Sequence, residues 1–270
     1  MTMQPSAQQS GEPGGATRPP RRGAWGAIAA TGSLVALKSK GLLGLFKLAT
    51  LGKFALTALS MLAMVWFEAQ RNGVWFGVGF VLLILMHELG HAWAIRRAGL
   101  QAGWPVFIPF FGAMIALRGS PRSRDVEAQI AYAGPLAGTA VSLLVAAIGL
   151  LASSRLCIAL AYTGFFLNLF NLVPIPPLDG GRVATVFSAR AWIVGAILLV
   201  GLFFATGAPQ LLLIGLLALG RGRRPPGAPP VEPASEETKR KWTARYFGLC
   251  FFLGAAIFFS QRLMAVGGGE

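Results

Sequence analysis

The sequence predicts an all-α polytopic membrane protein with about six to seven transmembrane helices and a small membrane-associated β element. Three observations lead there. Of 270 residues 54% are hydrophobic and only 13% charged, where a soluble domain carries about 25% charge. The apolar residues gather in long runs almost free of charge, and more of them than one soluble core could bury. The basic residues sit between those runs and strongly favour one side. With the N-terminus cytoplasmic, 21 Lys and Arg fall in cytoplasmic segments, and only Arg71, Arg155 and Arg262 fall outside. The formal net charge of +14 therefore reads as membrane topology, and no nucleic-acid partner is expected.

Residues 1–23 are rich in Gln, Ser, Gly, Pro and Arg and predict a disordered basic tail with no cleavable leader. Residues 24–53 are mildly apolar and interrupted by lysines, an interfacial lead-in. A catalytic membrane core is expected over 54–190. Its first span covers Phe54 to Phe67, extensible to Ala69, and Arg71-Asn72-Gly73 turns the chain. The second span runs from Val74 to about Ile95 and closes on Arg96-Arg97. Between Gly99 and Leu117 the chain stays apolar, but Pro105, Pro109 and Gly112 oppose a helix, and two short strands with a turn fit better. A charged stretch, Arg118 to Glu127, reads as a solvated loop.

The third span runs from about Ala128 to Leu151. Within it, Gly134-Pro135-Leu136-Ala137-Gly138 permits close helix approach, and Pro135 is expected to kink the helix or mark its start. The fourth span, about Leu156 to Leu172, leads into Val173-Pro174-Ile175-Pro176-Pro177-Leu178-Asp179-Gly180-Gly181-Arg182, which the prolines and glycines mark as irregular. Residues 191–270 predict further crossings at about Ala191–Ala205, Leu211–Leu219 and Tyr246–Phe259, with a charged cytoplasmic loop at 220–245. Cys157 and Cys250 lie far apart in apolar segments and predict neither a disulfide nor a metal pair.

One motif carries chemistry. His87-Glu88-Leu89-Gly90-His91 holds the only two histidines of the chain, four residues apart and so on one helical face. Two imidazoles with an adjacent glutamate form the H-E-x-x-H arrangement of zinc hydrolases. Counting inward from Val74, His87 lies about 20 Å into a hydrocarbon core about 30 Å thick. Ionisable groups at that depth are costly, which favours a functional site over a chance match. Catalytic zinc commonly takes three protein ligands. The chain has no third histidine, and Asp125 sits among charges in the presumed loop, so elimination leaves Asp179 at the same membrane level. Glu88 is then the expected general base. An amide near the end of the fourth span, Asn171 or Asn168, is a candidate for binding substrate or a developing oxyanion, or equally for capping backbone. The apolar stretch 104–117 offers a strand edge to a locally unwound substrate.

These residues resemble the site-2 proteases, intramembrane zinc metallopeptidases. The resemblance rests on His87-Glu88-Leu89-Gly90-His91, on Ala133-Gly134-Pro135, and on Asn171-Leu172-Val173-Pro174 leading to Leu178-Asp179-Gly180. It implies one zinc ion held by His87, His91 and Asp179 between core helices, with Glu88 as base and Asn171 assisting substrate. It implies cleavage of transmembrane proteins or signal-peptide remnants near the cytoplasmic leaflet, in a multi-pass bacterial inner membrane. Two rivals are weighed against it. A catalytically silent client-binding relative would not need Glu88. A metal transporter would need a second site along a path and usually shows internal repeats, which this sequence lacks. The sequence does not set an oligomeric state.

Overall fold

The computed structural model describes residue 52 and residues 55–108, 112–118, 121, 123–188, 190–208, 211–212, 214–216, 218 and 234–266. The expected tail 1–23, most of the lead-in 24–53 and residues 220–233 of the charged loop lie outside the described residues.

Helix α1 covers residues 55–72, and α2, Val74–Arg97, follows after the single residue Gly73. Gly73 has φ 88, a left-handed backbone that a Cβ would strain, and this lets two helices meet at a one-residue elbow. Close packing extends past the elbow, because a Cβ on Gly77 would stand 2.8 Å from the Val65 carbonyl oxygen. Strands β1 (Gln101–Ile108) and β2 (Gly112–Arg118) pair antiparallel, with Pro105 opposite Ile115 and Phe107 opposite Ala113. The expected two strands are thus present. On α1, Thr57 Oγ1 donates to the Pro105 carbonyl at 2.7 Å, and Ser60 Oγ accepts from the Phe107 N–H at 3.2 Å. Pro105 O and Phe107 N both face α1, so these two groups on the outer edge of β1 are satisfied by hydroxyls. The same register turns the backbone groups of Ala113 and Ile115 outward along β2.

Helix α3 is Arg124–Leu151, and Ser123 caps it by accepting from the Val126 N–H. The helix begins well before Pro135, so that proline does not mark its start. Asp125 is not in a solvated loop as expected. It lies in the first turn of α3 and accepts from Trp242 Nε1 at 2.6 Å and Lys241 Nζ at 3.0 Å. Helix α4 is Arg155–Asn171, capped by Ser154. The proline-rich residues after it are non-helical, but Asp179–Ala184 forms a short helix, α5. Gly180 and Gly181 therefore serve close packing within α5 rather than an irregular turn. A Cβ on Gly180 would stand 2.0 Å from the Leu172 carbonyl oxygen.

Helix α6 is Ala191–Thr206, and the described residues between 211 and 218 are helical. The last helix, α7, spans Glu236–Val266. Residues 236–245 of the expected 220–245 loop are thus helix. Its charged first turns escape a hydropathy reading, and Glu236 pairs with Lys239 there.

Among the described residues, three helices are long and apolar enough to cross a membrane: Val74–Arg97, Arg124–Leu151 and Glu236–Ala265. The six to seven expected spans are matched only in part. Helices α4 and α6 are apolar but have 17 and 16 residues, about 25 Å of rise. The main core joins α3, α4, α5 and α7 through Ala128, Ala161, Phe165, Val183, Trp242 and Leu253. A second cluster binds α1, α2 and β1 through Met64, Val81, Ile84 and Phe107.

Candidate metal centre

Helix α2 delivers His87 and His91 one turn apart, and α5 delivers Asp179 from its first position. All three are buried. Asp179 Oδ2 lies 3.2 Å from His87 Nε2 and 3.0 Å from His91 Nε2, and the two Nε2 atoms are 3.1 Å apart. A tetrahedral zinc with bonds of about 2.0–2.1 Å spaces its ligand atoms about 3.3–3.4 Å apart. The triangle is close to one face of that tetrahedron.

The surrounding hydrogen bonds test whether a cation suits this triangle. His91 Nδ1 faces the Ile130 carbonyl at 2.8 Å, an acceptor only. His87 Nδ1 faces Asn168 Oδ1 at 2.8 Å, and Asn168 Nδ2 is committed to the Gly164 carbonyl at 2.7 Å. Each Nδ1 must therefore donate. In the neutral rings both Nε2 lone pairs then point at each other and at a carboxylate oxygen. Three electron-rich atoms at this spacing cohere around a cation, and the donor set fits zinc.

Small residues on α3 make the room. A Cβ on Gly134 would stand 2.2 Å from His91 Nε2, and one on Gly138 would stand 2.3 Å from Asn168 Oδ1. The Gly134-to-Gly138 pattern is thus a pair of sockets, one for His91 and one for the Asn168 amide that bonds His87. The Glu88 carboxylate lies within 4.8 Å of the histidine nitrogens without standing in the triangle. Ile115, on the outward edge of β2, lines the same cavity wall as Glu88.

Asn168 and Asn171 separate clearly. Asn168 is buried and orients His87. Asn171, half-buried, donates from Nδ2 to the Leu167 carbonyl at 3.1 Å and lines the cavity beside the triangle. The sequence named both amides but carried no signal for this division, which depends on how α4 is rotated against α2. The cavity has a volume of about 990 Å³. Its wall includes His87, Glu88, His91, Asp179 and Ile115, and it reaches Arg71 on α1.

With this geometry in hand, comparison with known proteins adds an independent line. Residues 75–155 match the model of peptidase family M50. Over 123 residues the chain is 37% identical to Rip3 of Mycobacterium tuberculosis, whose name places it among the zinc metalloproteases. That stretch is 42% of this chain and 31% of Rip3. It is 28% identical over 146 residues to the zinc metalloprotease MJ0392 of Methanocaldococcus jannaschii, 50% of this chain and 41% of that protein. It is 25% identical over 209 residues to EGY2 of Arabidopsis thaliana, a chloroplast protein named for the same activity, 61% of this chain and 38% of that protein. The chain thus spans about a third to two fifths of the length of these curated relatives. The resemblance to the site-2 proteases stands on these matches, and the His-Glu-His cluster is compatible with zinc.

Proposed function

Taking the match of residues 75–155 to peptidase family M50 as premise, we propose that this chain is an intramembrane zinc endopeptidase. It hydrolyses peptide bonds of transmembrane proteins or signal-peptide remnants near the cytoplasmic leaflet, in regulated intramembrane proteolysis. The observation that carries the reading is the buried triangle of His87, His91 and Asp179 with Glu88 beside it and outside it. A purely structural metal site needs no such carboxylate.

When bound, zinc is a Lewis acid that makes water nucleophilic near neutral pH. His87, His91 and Asp179 would hold it, and Asn168 and the Ile130 carbonyl keep both imidazoles in the tautomer that leaves Nε2 free to bind it. Glu88 takes the proton from water and passes it to the leaving amine. Asn171, on the cavity wall, binds substrate backbone. The outward edge of β2 takes the unwound substrate as an added strand, because β1 is already occupied by Thr57 and Ser60. Ile115 and Glu88 line the same cavity, so a strand added there lies beside the base. The basic-residue bias supports a cytoplasmic N-terminus, with the histidine end of α2 toward the same side.

The test uses the full chain purified in detergent. Zinc content is measured, and cleavage of membrane-peptide libraries is compared for wild type and Glu88→Gln. The expected result is zinc in both and a cleavage loss of at least about 100-fold in the variant. Equal cleavage by both would sink the proposal. Zinc with no cleavage by either would favour the silent client-binding relative.

A further inference from the structure

Helix α7 lies outside the stretch that matches the peptidase family and outside every motif of the sequence, yet it touches the segment bearing Asp179 from both sides. Tyr246 is buried, and its hydroxyl donates to the carbonyl of Leu172, the residue that caps the end of α4. That same carbonyl is the surface on which Gly180 rests, since a Cβ on Gly180 would stand 2.0 Å from it. Gly180 is the neighbour of Asp179. The Tyr246 ring also packs on Phe187, just after α5, with centroids 5.5 Å apart. One side chain of α7 thus grips the polypeptide before and after the aspartate. One turn earlier, Trp242 Nε1 and Lys241 Nζ bind Asp125 at the start of α3, which fastens α7 to the helix that makes room for His91.

We infer that Tyr246 is a positioning residue of the metal centre, and that α7 is a brace that sets Asp179 against the two histidines through the Leu172 carbonyl. The inference rests on the metal reading proposed above. Without the hydroxyl, the Leu172 carbonyl keeps its contact with Gly180 but loses its anchor. Residues 172–184 are then free to drift along the cavity wall, and the third donor leaves the triangle first. Trp242, on the same helix, donates to Asp125 and not to the Leu172 carbonyl, so it reports on docking of α7 without that hydrogen bond.

The test compares full-length wild type, Tyr246→Phe and Trp242→Phe in detergent, each first without metal and then titrated with zinc against a chelator. Without metal, amide exchange at Gly181, Val186 and Phe187, whose N–H groups donate to Leu178, Val183 and Ala184, is expected to quicken about tenfold in Tyr246→Phe. Zinc affinity in that variant is expected to fall about threefold to tenfold, while Trp242→Phe leaves it within twofold of wild type. Unchanged exchange in Tyr246→Phe overturns the brace, whatever zinc does. Faster exchange with unchanged zinc affinity overturns its action on Asp179. An equal zinc loss in Trp242→Phe makes the effect general docking of α7 and also overturns the inference. Faster exchange in Tyr246→Phe, in a protein whose wild type takes up no zinc, supports the brace on residues 172–184 and overturns the metal reading alone.

Discussion

Replacing Gly134 by alanine adds one methyl group where the structure has no room for it. The new Cβ would stand 2.2 Å from His91 Nε2 and 2.4 Å from its Cε1. An ordinary contact needs about 3.4 Å or more, so the shortfall is about 1.2 Å. That is over half of a zinc–nitrogen bond of about 2.0 Å. The obstacle is backbone-fixed on α3, and His91 is held from behind by the Ile130 carbonyl, so neither side yields without breaking something. Overpacking of this kind typically costs about 1–3 kcal/mol, and loss of ligand orientation costs about 10- to 100-fold in metal affinity. The assay is a competitive chelator titration of zinc on purified Gly134→Ala, with Gly201→Ala on α6 as control, because a Cβ at Gly201 meets nothing within 4 Å. Helix propensity pushes both variants the same way, toward stability by up to about 1 kcal/mol. A zinc loss confined to Gly134→Ala therefore isolates the steric effect. Wild-type affinity in Gly134→Ala would refute the socket for His91 and the triangle built on it.

Three further outcomes are expected. Asp179→Ala removes one donor of the triangle and should lower zinc content in elemental analysis, while unchanged zinc would remove Asp179 from the ligand set. Asn168→Leu keeps the bulk but leaves His87 Nδ1 without its acceptor; zinc affinity should fall about 10- to 100-fold by the same chelator titration, and Asn168→Asp should restore part of it. The pair Thr57→Val and Ser60→Ala frees the outer edge of β1. Each lost bond is worth about 0.5–1.5 kcal/mol, so amide exchange across residues 101–108 should rise with zinc content unchanged.

The sequence made some features legible because they are strictly local. The H-E-x-x-H spacing places His87 and His91 on one face whatever surrounds them, and Pro105 with Gly112 excludes a helix, leaving the two strands observed at Gln101–Ile108 and Gly112–Arg118. Elimination singled out Asp179 because the chain has so few candidate ligands, and its Oδ2 lies 3.2 Å and 3.0 Å from the two histidine Nε2 atoms. What stayed hidden depends on rotation and contact between helices. Asn168 and Asn171 differ by less than one turn, yet one faces His87 and the other the cavity. The spacing of Gly134 and Gly138 signals close approach but does not say that an imidazole and an amide fill the gap. Asp125 looked solvated beside its charged neighbours, because its partners Lys241 and Trp242 lie over 110 residues away. The charged start of α7 masked a helix that hydropathy alone begins ten residues later, at Tyr246.

The two hydroxyls on α1 have a topological consequence. The bond from Thr57 to Pro105 closes a loop across 48 residues, and every histidine of the chain lies inside it. Joining His87 to Asp179 closes a second loop across 92 residues. Nearly doubling the span adds only about 0.6 kcal/mol of closure entropy, so length is not what separates the two. The first loop is fastened by ordinary donors and acceptors and needs nothing from outside. The second ends in three atoms whose lone pairs face one another, which on the proposed reading a cation joins. On the proposed metal reading, the chain itself latches the hairpin to the histidine helix, while the aspartate clasp is the metal's to close.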